Sequence, residues 1–251
     1  MDRRGLRTTL PALPLRAWLR YDAAEPFFAR LPAGARVLEI GPGIGGFASR
    51  LARQFEYTGV ELDPTSWATA AQRLQRLGRG RVINGDLKSL DAGERFDLVC
   101  AFEVLEHLED PRRALAEWTR RLVPAGGLLL SVPAFQKRFG AWDVRVGHHL
   151  RYEPDELRRS LQDAGLASPE VHVYGAPLDL VVEHARNLIA RLRPSEGTAE
   201  SRTAGSGRLF QPPDALGWLT RAASAPFRRL QRAFFHSGIG TGIVAFARLP
   251  A

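Results

Sequence analysis

The chain has 251 residues, 45% of them hydrophobic, which is enough to form the core of a single α/β domain. Its one cysteine, Cys100, excludes a framework of intramolecular disulfides, and no apolar run approaches the roughly 18 residues of a membrane-spanning helix. The formal net charge is +8, but residues 31–175 carry 19 basic and 19 acidic side chains, so the excess lies on the flanks and argues against a nucleic-acid surface over the core.

The N-terminal residues combine arginines with leucines in the manner of a targeting segment. Pro11, Pro14 and Arg16 interrupt this stretch well before it reaches the length of a signal-peptide core. We therefore expect a soluble, cytoplasmic protein. The preponderance of arginine over lysine is typical of a bacterial chain from a GC-rich genome.

Hydrophobic runs alternate with helix-compatible stretches from residue 35 to residue 132, which predicts a parallel sheet with crossover helices. The predicted strands of this part are 35–40, 57–62, 81–84, 96–101 and 127–132. The helices predicted between them are 45–54, 65–77 and 111–122. Beyond residue 133 the pattern predicts, in order, a helix, a sixth strand and a seventh strand at 153–166, 171–174 and 242–249.

We expect one domain, residues 1–251, with two additions to this core. The first is an N-terminal extension, residues 1–30, and the second is a helical cap inserted between strands six and seven, residues 176–240. The cap begins with an amphipathic helix over 178–193.

The remainder of the cap divides into a loop and a second helical part. The loop, near 194–213, is rich in Ser, Gly, Thr and Pro and is expected to be mobile. Apolar residues recur at helical spacing over 214–235, where Pro226 is expected to split the segment into two short helices.

The first strand ends in a glycine-rich turn, VLEIGPGIGGF, which is open to two cofactor classes. Glu39, Gly41, Gly43 and Gly45 fit the pattern E-x-G-x-G-x-G, and Gly41, Gly43 and Gly46 also fit the dinucleotide fingerprint. Glycine suits such a turn because it adopts positive φ and lets a ligand approach the backbone. The turn by itself does not choose between the two.

Two carboxylates near the turn add information. Glu61 ends the second strand twenty positions after Gly41, where a carboxylate accepts hydrogen bonds from two ribose hydroxyls, and both cofactors carry a ribose. Glu39 favours a cofactor with cationic sulfonium and ammonium groups over a pyrophosphate, since a carboxylate attracts cations and repels phosphate. Glu39 could instead hold the glycine loop through backbone N–H groups.

Five segments in order resemble the motifs of class I S-adenosylmethionine-dependent methyltransferases, over most of residues 25–175. They are VLEIGPGIGGF, TGVELDP, NGDLKSL, FDLVCAFEVLEHLEDP and LVPAGGLLLSVP. The resemblance implies an α/β fold, a three-layer Rossmann-like sheet of seven strands whose last strand is antiparallel and lies beside the fifth. It also implies S-adenosyl-L-methionine as the cofactor, bound at the C-terminal ends of the strands.

The resemblance also implies which residues bind this cofactor. Glu61 takes the ribose position, Asp86 lies near the adenine amino group, and the backbone after the fourth strand lines the adenine and methionine portions. The implied cofactor-binding residues are Glu39, Gly41, Gly43, Gly45, Glu61, Leu62, Asp86, Leu87, Ala101 and Phe102. The Phe102 side chain could equally belong to the core.

The acceptor side is expected after the fifth strand, in GAWDVRVGHHLRYEPDEL. Here G-H-x-x-x-Y resembles a segment of many small-molecule members, with His148 on its histidine, His149 next to it and Asp143 five residues earlier. A histidine suits proton removal near neutrality, so these three are the candidate catalytic residues, as base or substrate anchor; His148 could instead order the loop. His107 is expected to organise its own loop, and no clustered spacing of His, Cys or carboxylates suggests a metal.

The cap determines which acceptor we expect. It brings aromatic residues and an excess of arginine, which suits an acceptor with an apolar and an anionic part, a small molecule or a lipid-like compound. The cap aromatics are Phe210, Trp218, Phe227, Phe234 and Phe235. The same helices could rest on an anionic membrane surface as a peripheral contact, or simply cover the sheet.

We therefore predict an enzyme that transfers a methyl group from S-adenosylmethionine, by O-methylation of such an acceptor. An NAD(P)-dependent oxidoreductase using the same glycine turn is the first alternative. A nucleic-acid methyltransferase is the second, and it lacks support because AFEV stands where a base-flipping tetrapeptide is expected. No nucleic-acid partner is expected.

Overall fold

The computed structural model describes residues 10–192 and 211–251, which contain one seven-stranded sheet. The strands are β1 Arg36–Ile40, β2 Glu56–Glu61, β3 Arg81–Asn84, β4 Phe96–Phe102, β5 Leu122–Pro133, β6 Ala167–Tyr174 and β7 Gly242–Arg248. Their order is β3-β2-β1-β4-β5-β7-β6, and β7 pairs antiparallel with both β5 and β6. This confirms the predicted sheet, including the place of the last strand beside the fifth.

The α-helices of the described residues lie on both faces of this sheet. They are α1 Leu15–Phe28, α2 Ala48–Leu51, α3 Pro64–Leu77, α4 Pro111–Thr119, α5 Ala141–Val146, α6 Pro154–Asp163, α7 Leu178–Leu192 and α8 Gly217–Gln231. Short 3-10 turns include Leu105–His107, directly after β4. The predicted loop near 194–213 lies outside the described residues except for its last three positions, and Phe210 lies outside them as well.

Two helices show how local sequence sets the helix ends. Asp63 accepts a hydrogen bond from the Ser66 N–H at 2.9 Å and is followed by Pro64, a favoured first helical residue. The same helix ends at Gly78, whose φ of 68° is left-handed. Asp110 caps α4 in the same way, by accepting a hydrogen bond from the Arg113 N–H at 3.0 Å.

Alternating residues of the central strands build a core on each face of the sheet. Val37 and Leu98 face the layer of α1, α2 and α3, whereas Leu38 and Val99 face α4 and α6. All four are fully buried. Because helices cover both faces of the sheet, both faces of a parallel strand are apolar and its sequence is a continuous apolar run.

The N-terminal extension is part of this core, which the sequence pattern did not predict. Its helix α1 buries Phe27, whose ring stacks on Phe246 of β7 at 5.1 Å between centroids. Prolines before α1 and Pro26 within it obscure the helical period in the sequence. Residues 10–28 therefore belong to the helical layer that also contains α2 and α3.

The prediction that Pro226 splits the last cap helix is wrong. Helix α8 continues through Pro226 to Gln231. A proline removes one backbone hydrogen bond, but packing on α1 holds the helix on both sides of it. The fully buried Gln231 side chain donates to the Leu19 carbonyl and to Asp22, both at 3.0 Å. Phe227 packs against the core between the sheet and the layer of α1, α2 and α3.

Helix α8 and the N-terminal helix α1 thus cover one face of the sheet together. Asp214, just before α8, accepts from the Ala12 N–H at 3.0 Å, and Arg232, just after α8, pairs with Asp22 at 2.7 Å. Across residues 10–192 and 211–251, none of the helices combines the length and the apolar character needed to cross a bilayer.

Candidate cofactor and acceptor site

The candidate site lies at the topological switch point of the sheet. The connection after β1 leads to strands on one side of this point and the connection after β4 to strands on the other, and the carboxyl ends of β1, β2, β3 and β4 meet at one edge. Gly41 donates to the Val60 carbonyl and Gly85 to the Glu61 carbonyl, each at 2.9 Å, so the three loops leave the sheet side by side. Such an edge is where open α/β sheets bind ligands.

The glycine loop has the backbone that the sequence predicts. Gly41, Gly43 and Gly45 have φ of 67°, 56° and 81°, which side chains rarely adopt. A Cβ at Gly45 would stand 3.0 Å from the backbone of Ala70 in α3, whereas a Cβ at Gly43 would meet no described atom within 4 Å. The loop is therefore packed against α3 at one glycine and open to a ligand at another.

Glu61 faces this loop. Its Oε2 accepts from the Gly43 N–H at 2.8 Å and its Oε1 from the Asp63 N–H at 2.9 Å. Burial raises the pKa of the Glu61 carboxyl, although these N–H groups oppose the shift. A carboxylate offers about four lone-pair positions, so each oxygen keeps one with which to accept from a ribose hydroxyl. This geometry fits the ribose of S-adenosylmethionine.

The residues expected to contact the adenine also fit this cofactor. Leu62 is 72% exposed, and the Asn84 amide donates to the carbonyls of Glu61 and Leu62 at 2.9 and 3.3 Å, which fixes the turn that carries it. Asp86 is exposed, and Leu87 beside it is half-buried. Leu62 and Leu87 offer apolar contacts, and the exposed Asp86 carboxylate offers an acceptor for an amino group.

Three further residues of the expected set have buried side chains. Ala101 and Phe102 belong to the two core faces, and the Phe102 ring packs edge-on against Phe47 at 4.9 Å. Glu39 is 2% exposed and accepts a hydrogen bond from the Tyr57 hydroxyl at 2.7 Å. Burial raises the pKa of Glu39 to about 7, so near neutrality this carboxyl holds its proton in part.

On the other side of β4, Asp143 and His148 come together as the sequence suggests. His148 Nδ1 lies 2.8 Å from Asp143 Oδ1. Burial disfavours the charged form of Asp143, but hydrogen bonds from His148 and Arg151 outweigh it and lower its pKa to about 2. Because Asp143 is ionised, Nδ1 of His148 carries the proton of this bond and Nε2 is the atom left to accept.

Arg151 connects this pair to the cap. Its guanidinium donates to both oxygens of Asp143, at 2.9 and 2.8 Å, and to Glu183 of α7. Arg138 donates to the other oxygen of Glu183 at 2.6 and 3.0 Å. Asp143, Arg151 and Glu183 are all buried. Their charged hydrogen bonds hold α7 against the GAWDVRVGHHLRYEPDEL segment.

His149 does not join this group. Its side chain is exposed, and its backbone N–H donates to the Glu106 carbonyl at 2.9 Å. His107 instead lies against His148, with 4.7 Å between ring centroids, and its Nδ1 is 3.1 Å from the Gly147 carbonyl. Burial, and then the neighbouring His148, lowers the pKa of His107 to about 4, which keeps its imidazole neutral.

Glu103 is a site residue that sequence reasoning missed. It follows β4 directly and has a φ of 57°, a strained conformation for a residue other than glycine. Its carboxylate pairs with Arg20 of α1 at 3.2 Å and accepts from the Ser131 hydroxyl at 3.0 Å. Burial acts to raise the pKa of Glu103, but Arg20 and Arg16 outweigh it and lower the pKa. Its position after the fourth strand is the one signal the sequence holds.

The structure also differs from the expectation of no metal-ligating cluster. Within the described ranges, one ligand atom each from Glu106, His107 and His148 lie within 4.8 Å of one another. Sequence spacing did not reveal the group, because His148 belongs to a loop after β5 and the other two follow β4.

Comparison with known proteins gives a consistent result. A family profile described as "Methyltransferase domain" matches residues 15–170. A ubiquinone biosynthesis O-methyltransferase of Xanthomonas axonopodis pv. citri is 37% identical over 183 residues, 64% of this chain and 74% of that protein. An uncharacterized methyltransferase of Mycobacterium sp. strain JLS is 35% identical over 123 residues, so the match spans about half its length, 47%, and 47% of this chain.

Solved structures resemble the chain in fold. Phosphoethanolamine N-methyltransferase 2 of Haemonchus contortus, in complex with S-adenosyl-L-methionine, has a TM-score of 0.60 and 18% identity, covering 92% of this chain and 52% of that one. The [4+2]-cyclase SpnF has a TM-score of 0.54 and 21% identity, covering 96% and 99%. At these identities the likeness concerns the fold, which serves more than one reaction.

Glu61 provides the first test of the site. A Glu61→Lys protein should show no S-adenosylmethionine binding by isothermal titration calorimetry, because the ammonium cannot accept from the ribose hydroxyls. Glu61→Gln should weaken binding by about tenfold or more, the cost of losing charged acceptors. The control is Glu56→Gln, an exposed glutamate at the opposite end of β2. Unchanged affinity of the Glu61→Lys protein would contradict the assignment.

The raised pKa of Glu39 predicts that, in the absence of cofactor, the free energy of unfolding depends on pH. Its pKa rises from 4.5 to about 7 on folding, so between these values the folded chain holds a proton that the unfolded chain has lost. The free energy of unfolding therefore falls as the pH rises through this window, by up to about 3 kcal/mol for this group. In urea unfolding at pH 5 to 8, Glu39→Gln should gain stability relative to the wild type as the pH increases. A constant difference between the two would refute the shift.

Proposed function

Because the chain belongs to the class I S-adenosylmethionine-dependent methyltransferases, we propose that it O-methylates a hydroxyl of a small or lipid-like acceptor with apolar and anionic parts. The family match removes the reason for preferring a nicotinamide cofactor at the glycine turn. The observation that supports the proposal is the pairing of buried Asp143 with half-buried His148 beside the carboxyl end of the sheet.

The cofactor half of the reaction rests on the glycine loop and Glu61. When bound, S-adenosylmethionine supplies a methyl group on a sulfonium, which already has a good leaving group. Glu61 would hold the ribose, and Leu62 and Asp86 would contact the adenine. Much of the catalysis then consists in positioning the two reactants, so rigid loops at the sheet edge favour it.

The acceptor half rests on His148. A hydroxyl must lose its proton before or during attack on carbon, and a neutral imidazole nitrogen can bind that hydroxyl. Asp143 holds the His148 ring by its Nδ1–H and Arg151 holds Asp143, which leaves Nε2 for the acceptor side. Asp143 and Arg151 are positioning residues in this proposal, and His149 points elsewhere.

The chemical class of the acceptor is suggested by two relatives. One is the Xanthomonas ubiquinone biosynthesis O-methyltransferase. The other is a phthiotriol/phenolphthiotriol dimycocerosates methyltransferase of Mycobacterium leprae, 34% identical over 116 residues, 45% of this chain and 43% of that protein. The first name denotes an O-methyltransferase and the second a lipid methyltransferase, which agrees with the aromatic and arginine content of the cap.

The proposal is tested by a panel of hydroxylated aromatic acids with and without a prenyl tail, using labelled S-adenosylmethionine and mass spectrometry of the product. The wild type should add one methyl to oxygen of a prenylated acceptor. His148→Ala should lower kcat/KM by about 100-fold or more, the usual contribution of a proton-transfer group. Its Kd for S-adenosylmethionine should stay within about twofold, since His148 lies apart from the glycine loop.

His184→Ala serves as the matched control, because this histidine is exposed on α7. It should keep the wild-type rate. Full turnover by the His148→Ala protein on a true acceptor would sink the role of His148. Methylation of nitrogen or carbon alone across the panel would refute O-methylation.

A lipid-like acceptor suggests a peripheral membrane contact through the cap. Val181, Leu188 and Leu192 lie at helical spacing on α7 and are 69%, 58% and 73% exposed. Trp218 of α8 is 70% exposed, and the cap carries an excess of arginine. Exposed apolar side chains among arginines are typical of helices that bind an anionic interface.

Vesicle sedimentation tests this contact. The wild type should sediment with vesicles that contain an anionic phospholipid and less with neutral ones. The double variant Leu188→Ser, Leu192→Ser should reduce the bound fraction by about fivefold, since each leucine adds buried apolar area. Val144→Ser, at an exposed position of α5, is the control. Equal sedimentation of wild type and double variant would refute the contact.

A further inference from the structure

Three arginines lie against one buried tryptophan where α1, α2 and α8 meet. Trp18 is 6% exposed. The guanidinium carbons of Arg50, Arg228 and Arg221 lie 4.8, 5.2 and 5.8 Å from the centroid of its ring. Trp18 belongs to one of the chain flanks that carry the excess positive charge, and Arg221 and Arg228 belong to the other. The fold therefore brings part of this excess to one place, which we call the Trp18 cluster.

Among the described residues, no carboxylate pairs with the three arginines of this cluster. Arg50 is buried and donates to the carbonyls of Gly46 and Pro11 at 2.7 and 2.9 Å, and these acceptors are uncharged. The Nε atom of Arg228 is buried and has no hydrogen-bond partner in the same part of the chain. Arg221 is exposed. Each guanidinium thus keeps a positive charge that none of the described acids balances by direct contact.

The surroundings of Arg50 contain further arginines. Burial lowers the pKa of Arg50 to about 10, Tyr21 opposes this shift, and neighbouring arginines add to it. Those arginines are Arg221, Arg53 and Arg73. Arg73 has a carboxylate partner, Asp214, at 3.4 Å. Arg50 remains protonated near neutrality, so its charge and the positive charges around it repel one another, and an anion among them lowers this cost.

We propose that Arg50, Arg221 and Arg228 of the Trp18 cluster bind a phosphate group. Guanidinium groups donate parallel hydrogen bonds to phosphate oxygens, and the contacts with the Trp18 ring hold the three groups near one another. Three positive charges suit a doubly charged phosphate better than a singly charged carboxylate. The exposed position of Arg221 gives the ligand access from solvent.

The phosphate site shares no residue with the proposed cofactor and acceptor site and does not rest on the proposed function. Two sources offer such a phosphate, a free phosphorylated compound and a lipid headgroup. Trp218 and Leu219 of α8 are 70% and 48% exposed and lie within one turn of Arg221. With a headgroup on the cluster, these two side chains would enter the bilayer beside it. The experiment therefore has one arm for each source.

Calorimetry with sodium pyrophosphate tests the site on the full-length protein, in phosphate-free buffer of low ionic strength. The wild type should bind one pyrophosphate per chain. Arg228→Gln and Arg221→Gln should each weaken binding about tenfold or more, because each removes charged donors. The control is Arg229→Gln, which removes the same charge from an exposed position of α8 and should bind as the wild type does. Sodium acetate at the same ionic strength should show no saturable binding, and acetate binding as tight as that of pyrophosphate would overturn the choice of phosphate.

Sedimentation with vesicles of phosphatidylglycerol and phosphatidylcholine forms the second arm. A loss specific to Arg228→Gln and Arg221→Gln with either probe supports the site. A loss with pyrophosphate identifies a free phosphorylated compound as a sufficient ligand, and a loss with vesicles alone identifies the headgroup. Equal behaviour of the wild type and all three variants with both probes would overturn the site, and so would equal losses in all three, which indicate a general effect of charge.

S-adenosylmethionine affinity near the wild-type value shows that each variant is folded. If Arg228→Gln loses this affinity as well, Arg221→Gln decides the outcome, since its side chain is exposed. Failure of the proposed function is a separate result. A protein that methylates no acceptor but loses pyrophosphate binding in these two variants would keep the phosphate site, whereas full O-methylation with unchanged binding in both arms would do the reverse.

Discussion

Parallel strands deliver their loops to one edge of a sheet, and the site follows from that constraint. Since β1 lies between β2 and β4, the glycine loop, Glu61 and the residues after β4 leave the sheet next to one another. The open backbone at Gly43 and the carboxylate of Glu61 then form one continuous surface. The half proposed for the cofactor is thus built largely from backbone geometry, which a short motif can specify.

The half proposed for the acceptor depends instead on buried charge. Arg151 binds both Asp143 and Glu183, which joins three chain segments, and Arg20 of α1 pairs with Glu103, whose backbone conformation is strained. Such groups are costly to bury one at a time, so their mutual pairing determines how α1 and α7 dock on the sheet. The N-terminal helix and the cap are therefore part of the site's architecture.

How far the sequence predicts the site differs between its two halves. The seven strands and the conformations of Gly41 and Gly43 follow from hydrophobic period and glycine chemistry, which are local properties. The sequence indicated the Asp143–His148 pair through the close spacing of the two residues in the segment after β5. It did not indicate Glu103, because its partner Arg20 lies on a helix whose prolines hide its period. The buried position of Glu39 beside Tyr57 also needed the packed β1–β2 pair.

By itself, then, the sequence determined the order of the seven strands and of the helices between the first five, the family resemblance and the residues expected around the cofactor. Only the tertiary structure decided that α8 continues through Pro226, that α1 covers the sheet, and that His107 meets His148 beside Glu106. The physical reason is the distance along the chain over which each kind of signal acts. Periodicity, caps and glycine turns act within a few residues, whereas contacts between separate loops exist only once the sheet has brought their ends together.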